Sequence, residues 1–276
     1  MMQARHDDSP VECAVARAVV NIFREASTEG EVVSQAIYGN SVLAEGRRAG
    51  WACIRTADGY RGWTESAGLL EFDLAPYAPE GKTVQVSSLM ANLYRDPDVV
   101  SRPPLLQLPW EARLELPSDN SDGPAAWLKV RLVDGQLAWV QKGDVVPQLP
   151  VLTVTETLQI AHRFIGITYT WGGVSSFGFD CSGFTQMLMR QRGILMPRNA
   201  DQQAAWSNLT AIESENVEPG DLLFFGSDET RINHTGMYLG DCKFIHATAH
   251  CHPGVQVSSL DKSPWAATLL AARRAK

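Results

Sequence analysis

The stretch WACIRTADGYRGW at residues 51–63 returns as WLKVRLVDGQLAW at residues 127–139. Both tryptophans, the arginine and the Asp-Gly pair of each copy coincide at one constant offset of 76 residues. Further upstream, NIFRE at residues 21–25 is echoed by NLYRD at residues 92–96. A repetition over this length indicates that the first half of the chain is a duplicated unit.

Each copy of the repeat has the pattern of a small β domain. The segments WACIR and WLKVR alternate apolar and polar side chains as a strand does, and the Asp-Gly pair that follows favours a hairpin turn. The pattern resembles bacterial SH3-like domains, closely through DGYRGW at residues 58–63 and more loosely through DGQLAW at residues 134–139. For the tryptophans we favour core packing over ligand stacking.

These features predict a multidomain chain. We expect two small SH3-like β-barrels, at residues 11–78 and 79–148, followed by an α+β domain at residues 149–276. The proline-bearing stretch VVPQLP at residues 145–150 interrupts strand pairing and is the expected linker between the second and third domains.

The third domain contains a cysteine at a predicted helix start. A capping-box spacing between Thr153 and Glu156 begins one helix, which Gly166 ends, and FDCSGF at residues 179–184 leads into a second. Cys181 thereby falls where the helix dipole favours a thiolate and where unpaired backbone N–H groups can hold an oxyanion. We interpret Cys181 as a nucleophile, the alternative being a buried structural cysteine.

Two histidines follow on predicted strands. His234 begins HTGMYLG, and His246 lies within KFIHA at residues 243–247. A cysteine nucleophile needs a base and a further polar group that fixes the tautomer of that base. We assign His234 as the base and His246 as the orienting residue; the alternative is that both are ordinary surface or core histidines.

These motifs together resemble the NlpC family of papain-like cell-wall peptidases. The resemblance covers residues 151–274 and rests on DCSGF at 180–184, HTGMY at 234–238 and FIHA at 244–247. With two SH3-like domains in front, the arrangement is similar to the γ-D-glutamyl-L-diamino acid endopeptidases, or dipeptidyl-peptidases VI, that recycle murein peptides. The resemblance implies a papain-like domain that hydrolyses the bond between D-Glu and the diamino acid in stem peptides with a free N-terminal L-Ala.

The same resemblance suggests which residues bind the substrate. In this subfamily the first SH3-like domain closes one side of the cleft, and an acidic residue there holds the substrate amine. The expected substrate-binding residues are Glu25, Tyr60, Tyr169, Ser182, Asn199 and Asp201. For Tyr169, which matches the tyrosine that orients substrate in the family, packing is the alternative.

One motif departs from the family. Relatives carry Arg-Asp-Ser or Arg-Asp-Ala where this chain has Arg198-Asn-Ala-Asp201. Asn199 accepts a hydrogen bond but carries no charge, so Asp201 or the first SH3-like domain compensates, or the substrate differs.

Composition excludes several functions. The net charge of −7 and the lack of a clustered basic segment argue against a nucleic-acid partner. No apolar run is long enough for a membrane span, and the first residues lack the pattern of a secretory signal, so we expect a cytoplasmic protein. Five unpaired cysteines fit a reducing compartment.

Three alternative functions must be weighed against the peptidase interpretation. A zinc site could use Cys242, His246, His250, Cys251 and His252, but the strand alternation and the missing CxxC pair disfavour it, and we expect neither metal nor cofactor. The chain could instead hydrolyse intact peptidoglycan, which requires export. It could also be a non-catalytic SH3-like module that binds the cell wall, against which the intact Cys, His, His set argues.

Overall fold

A computed structural model describes residues 10–72, 77, 83–118, 123–228 and 230–276. The chain divides into two compact units, residues 1–148 and residues 149–276. The predicted boundary between the two SH3-like domains, at residues 78 and 79, lies outside the described residues.

The first unit contains two seven-stranded antiparallel sheets. The strands of the first sheet are β1 (Val11–Val15), β2 (Val19–Phe23), β3 (Val32–Ile37), β4 (Ser41–Arg48), β5 (Trp51–Arg55), β6 (Arg61–Glu65) and β7 (Leu69–Glu71). Those of the second sheet are β8 (Thr83–Val86), β9 (Met90–Tyr94), β10 (Leu106–Pro109), β11 (Arg113–Glu115), β12 (Trp127–Arg131), β13 (Leu137–Gln141) and β14 (Val145–Val146). Short 3-10 turns at Ser66–Gly68 and Lys142–Asp144 precede the last strand of each sheet.

The two sheets have the same topology. The first runs β3-β2-β6-β5-β4-β1-β7, and adding seven to each number gives the order of the second. This identity confirms the duplication that the repeated sequence predicts. Among the described residues the end strands of each sheet do not pair with each other, so each barrel-like sheet is open along one side.

The repeated sequence landmarks occupy equivalent places. Both Asp-Gly pairs turn the hairpin between the fifth and sixth strands of their sheet, with Gly59 at φ +82° and Gly135 at φ +83°, where a residue without Cβ is favoured. Trp51 meets Phe23 edge-on at 5.4 Å between ring centroids, and in the second copy Trp127 meets Tyr94 at 5.5 Å. Each tryptophan is half-buried against its aromatic partner, which supports the packing interpretation.

The linker is shorter than the sequence suggests. Val145 and Val146 pair with Val86 and Gln85 and therefore belong to the second sheet. Two β-branched residues favour a strand, and the break in pairing comes only at Pro147, which has no N–H to donate.

The second unit combines a six-stranded antiparallel sheet with helices. Its helices are α1 (Val154–Arg163), α2 (Cys181–Gln191), α3 (Ala200–Ala204) and α4 (Trp265–Thr268), and Ser214–Asn216 forms a 3-10 turn. Its strands are β15 (Val174–Ser175), β16 (Gly178–Phe179), β17 (Leu209–Ile212), β18 (Leu222–Gly226), β19 (Ile232–Gly240), β20 (Lys243–Thr248), β21 (Gly254–Ser259) and β22 (Leu269–Ala275). The large sheet has the order β17-β22-β18-β19-β20-β21, while β15 and β16 form a separate hairpin.

The central layer of this unit is α2 packed on the sheet. The helix contacts β19 and β20, and all but one of its residues are buried. Thr153 begins α1 with the predicted capping box, since its hydroxyl accepts from the Glu156 N–H at 3.3 Å and the Glu156 carboxylate accepts from the Thr153 N–H at 2.8 Å. The α+β architecture expected for the third domain is confirmed. Within the described residues no helix has the length and apolarity needed to span a membrane.

Candidate active site

Cys181 is the first residue of α2, as the sequence predicts. Asp180 is the N-cap: its Oδ1 accepts a hydrogen bond from the Gly183 N–H at 2.7 Å. The carbonyl of Gly173 accepts from the Asp180 N–H at 3.0 Å and lies so close to Gly183 that a Cβ there would come within 2.1 Å of it. A glycine is therefore required at position 183 for the Gly173 carbonyl to lie this close to the start of α2.

A buried ion pair lies directly beside the nucleophile. Arg198, only 2% exposed, binds both carboxylate oxygens of Asp180, with Nη1 3.0 Å from Oδ1, and also donates to the Ser182 hydroxyl at 2.8 Å. Two charges removed from water require such bidentate geometry to be stable. The sequence does not predict this contact, because no local pattern links residues that are 18 positions apart.

Ser182 takes part in the hydrogen bonds of this ion pair. The Ser182 side chain is buried and its hydroxyl is bonded to Arg198 and to the Asp180 carboxylate, with Oγ 3.3 Å from Asp180 Oδ1. This hydroxyl bonds both members of the ion pair, and its part in substrate binding stays a prediction.

The two histidines form a hydrogen-bonded chain across three neighbouring strands. His234 on β19 places Nε2 2.7 Å from Nδ1 of His246 on β20, and Nε2 of His246 lies 2.9 Å from the hydroxyl of Ser258 on β21. Gly236 leaves room for this pair, since a Cβ at that position would lie 2.9 Å from the His246 Cβ. With Nε2 engaged, Nδ1 is the His234 nitrogen that can accept a proton from a thiol.

An aromatic cluster surrounds the histidines. Trp265 stacks on His234, while Phe225 and Phe244 pack against both the tryptophan and a histidine. Neither Trp265 nor Ser258 was a candidate from the sequence. Each lies more than ten residues from the histidine it contacts. The pairing of β20 with β21 brings Ser258 to His246, whereas the packing of α4 on the sheet brings Trp265 to His234.

The sulfur of Cys181 lies against the backbone on either side of His234. Its thiol donates to the Asn233 carbonyl oxygen, with 3.9 Å between Sγ and O, and the Thr235 N–H also bonds the sulfur. Cys181 and β19 are more than fifty residues apart in the sequence, and the packing of α2 on β19 brings them into contact.

Burial controls the protonation of Cys181 and His234. Burial, followed by the Asp180 carboxylate, raises the pKa of the Cys181 thiol to about 12, although the N–H groups of Thr235 and Ser182 oppose the rise. Burial also lowers the pKa of His234 to about 4. With the pKa values shifted in these directions, sulfur keeps its proton at neutral pH and the imidazole is neutral. From its place at a helix start we expected Cys181 to be a thiolate stabilised by the helix dipole. The free-energy cost of burying the negative charge is larger here than the stabilisation that the dipole provides, so the thiol is favoured.

Tyr169 lies near the nucleophile in a half-buried position. Burial raises the pKa of its phenol well above the usual range, and the charges of Cys181 and Asp180 add to the rise. Tyr169 is thus a neutral hydrogen-bond donor at the pH values where proteins work. Its backbone also bridges to Phe179, directly before the N-cap.

The remaining substrate-binding candidates lie in different places. Asn199 precedes α3 as its N-cap residue, with its N–H 3.4 Å from the Gln202 Oε1, and Asp201 is exposed in the first turn of that helix. Glu25, exposed in the turn after β2, and Tyr60, half-buried before β6, belong to the first unit. Their roles stay predictions.

The alternative zinc site is not assembled. Across the part of the chain that the structure describes, no three His, Cys, Asp or Glu side chains form a metal-binding group. Both ring nitrogens of His246 are hydrogen-bonded to His234 and Ser258, whereas Cys242 and Cys251 are exposed.

The arrangement can carry out acyl transfer. It offers a thiol at a helix start, a neutral imidazole that a second imidazole orients, and the N–H groups of the first turn of α2 for a developing oxyanion. Nucleophile, base and oxyanion donors are the components that a cysteine peptidase requires.

Comparison with known proteins points to the same chemistry. Residues 166–274 match the NlpC/P60 family, and residues 22–69 match the bacterial dipeptidyl-peptidase SH3 domain. A γ-D-glutamyl-L-lysine dipeptidyl-peptidase of Bacillus cereus is 29% identical over 78% of this chain and 66% of its own length. A protein of the same name from Bacillus subtilis is 27% identical over 90% of this chain and 82% of its own length.

A solved structure has the same fold. The crystal structure of an NlpC/P60 family protein from Bacillus cereus superposes with a TM-score of 0.80 at 23% identity, covering 96% of this chain and 99% of that one. Residues 166–274 therefore form a cysteine peptidase domain of the NlpC/P60 family, and residues 22–69 form a bacterial dipeptidyl-peptidase SH3 domain.

Proposed function

We propose that this enzyme hydrolyses the bond between γ-D-glutamate and the diamino acid of murein stem peptides that carry a free N-terminal L-Ala. The observation that carries the proposal is the extent of the similarity to the two dipeptidyl-peptidases, 78% and 90% of this chain, which takes in SH3-like regions as well as the NlpC/P60 domain. Both relatives are named for a bond that follows γ-D-glutamate.

In the proposed mechanism Cys181 is the nucleophile and His234 the general base. As sulfur attacks the γ-carbonyl carbon, the S–H proton passes to Nδ1 of His234, and the carbonyl electron pair moves onto oxygen beside the first N–H groups of α2. The resulting imidazolium then protonates the leaving amine of the diamino acid, and a thioester remains. Water, deprotonated by His234, hydrolyses the thioester and releases L-Ala-γ-D-Glu.

His246 sets the tautomer that this sequence of steps needs. If Nδ1 of His234 is to accept a proton, the ring must carry its own proton on Nε2 and donate it to Nδ1 of His246, 2.7 Å away. His246 is then protonated on Nε2 and donates to the Ser258 hydroxyl at 2.9 Å. One proton arrangement therefore satisfies the whole chain from β19 to β21.

The test of the proposed function is direct. Purified protein incubated with L-Ala-γ-D-Glu-L-Lys, or with the meso-diaminopimelate analogue, should release L-Ala-γ-D-Glu, which mass spectrometry detects. The peptide with an α-linked D-Glu is the matched control and should survive. Release of dipeptide from the α-linked peptide at an equal rate, or from neither, would refute the proposal; preferential digestion of intact sacculi would favour the cell-wall hydrolase instead.

A separate prediction concerns the substrate amine. Acetylation of the N-terminal L-Ala should lower kcat/KM by about 10- to 100-fold, because it removes a charge-assisted hydrogen bond to a carboxylate. Comparing kcat/KM for the free and the acetylated peptide in the Glu25→Gln and Asp201→Asn variants identifies the carboxylate that binds the amine. In the variant that lacks this carboxylate, acetylation should lower kcat/KM by a smaller factor. Undiminished cleavage of the acetylated peptide by the unmodified enzyme would eliminate amine recognition.

A further inference from the structure

Trp265 occupies an unusual position for a residue that the family motifs do not include. It is the first residue of α4, and only 9% of it is exposed. Its indole lies almost parallel to the His234 imidazole, with 4.9 Å between centroids and 27° between planes. The same indole meets the His246 ring edge-on at 4.7 Å and 90°. One side chain thus contacts both members of the histidine pair.

The indole is itself firmly held. Phe225 on β18 and Phe244 on β20 pack against it at centroid distances of 5.4 and 5.5 Å. The four rings of Phe225, Phe244, Trp265 and His234 therefore form one packed cluster, and His234 cannot turn away from His246 without breaking the stack. Packing of this kind limits rotation about χ1 and χ2 of the histidine.

The charges around His234 determine what can stabilise the ring when it becomes an imidazolium. The hydrogen-bonded chain from His234 runs through His246 and ends on a serine hydroxyl, not on a carboxylate. The titratable groups around the cluster are His246 on β20, His250 in the loop between β20 and β21, Tyr238 on β19 and Cys181 at the start of α2. None of these is a carboxylate, and once sulfur has bonded to the carbonyl carbon none of them is negative while His234 still carries its extra proton. An aromatic face, which carries negative electrostatic potential, does attract a cation stacked on it.

We propose that Trp265 is a positioning residue for the reaction: its indole fixes the His234 ring and stabilises the imidazolium formed when the Cys181 proton is transferred. The inference rests on the proposed function, since it requires His234 to be the base. It assigns to α4 a task in catalysis that the sequence motifs do not reveal.

Three variants test the role of the indole. Trp265→Leu removes the aromatic face, Trp265→Phe keeps a smaller one, and Trp206→Leu is the matched control, since the structure places no ring contact between Trp206 and a described histidine. We expect kcat for the γ-linked tripeptide to fall about tenfold in Trp265→Leu and two- to threefold in Trp265→Phe, with KM nearly unchanged. Trp206→Leu should retain the unmodified kcat.

The protonation of His234 provides a readout that needs no activity. Burial already lowers the pKa of His234 to about 4, and losing the aromatic face removes stabilisation of the charged form, so the pKa should fall further, by up to about one unit. NMR titration of ¹⁵N-labelled imidazoles in a Cys181→Ala background measures this, and the acid limb of kcat/KM should move the same way in the active variants.

The outcomes separate the two proposals. If the unmodified enzyme leaves the tripeptide intact, the proposed function fails, whatever the titration gives. If the tripeptide is cleaved but the His234 pKa rises or stays unchanged in Trp265→Phe and Trp265→Leu, the inference about Trp265 is wrong. A rise in KM with kcat preserved would also overturn it, because Trp265 would then contact substrate. Should Trp265→Leu fail to fold, the Trp265→Phe comparison still decides.

Discussion

Cys181→Ala is expected to lower kcat/KM for the γ-linked tripeptide by about 10⁴-fold or more. The Cys181 thiol at the start of α2 is the group that forms the covalent intermediate of the proposed mechanism. Removing a nucleophile that acts together with its base and oxyanion donors loses nearly the whole catalytic advantage, since these groups act as a unit. Steady-state release of L-Ala-γ-D-Glu measures the effect.

Cys242→Ala is the control for this substitution. Cys242 is an exposed free cysteine in the same unit, in the turn between β19 and β20, and it contributes nothing to the proposed site. Its variant should turn over as the unmodified enzyme does. If Cys181→Ala retained activity while folded, as judged by circular dichroism, the assignment of the nucleophile would be wrong.

Arg198→Leu is expected to lower the free energy of unfolding by about 3–5 kcal/mol. The Asp180 carboxylate is largely buried at the helix start, and without the guanidinium its negative charge has lost its cationic partner. The Ser182 hydroxyl loses a partner as well. Urea titration of the second-unit transition, followed by tryptophan fluorescence, reports the change in midpoint.

Two further variants decide whether the charge is the cause. In Asp180→Asn combined with Arg198→Leu, the asparagine still caps α2 but carries no charge, so much of the lost stability should return. Arg231→Leu removes an arginine whose side chain is 78% exposed beside Asp228, and should change stability by less than about 1 kcal/mol. If the double variant were as unstable as Arg198→Leu, lost packing rather than an unpaired carboxylate would explain the effect.

Local signals account for the parts of the fold that the sequence predicts. The capping box at Thr153, the helix start at Cys181, the Asp-Gly turns and the strand patterns of β19 and β20 each depend on a few neighbouring residues, so they are visible in the sequence itself. The duplication was equally visible because both copies keep their tryptophans. The end of the second sheet was not visible in the sequence. Val145 and Val146 belong to a stretch with the pattern of a linker, and only the structure shows that they pair with β8.

The parts that the sequence does not predict depend on contacts between distant residues. Arg198 reaches Asp180 only after α2 and α3 are packed, and Trp265 reaches His234 only across the aromatic cluster. The protonation state of Cys181 belongs to the same class. A helix start predicts a lowered pKa, but the burial that raises it comes from the packing of α2 on the sheet.

The central claim is that the sulfur of Cys181 forms the bond to substrate. An affinity label in which L-Ala-γ-D-Glu carries a chloromethyl ketone in place of the scissile amide tests it most directly, with the modified residue identified by peptide mass spectrometry. We expect stoichiometric labelling of Cys181, protection by the tripeptide, and loss of hydrolysis in proportion to labelling. Hydrolysis that persists after Cys181 is fully labelled, or inactivation with the label on another residue, would contradict it.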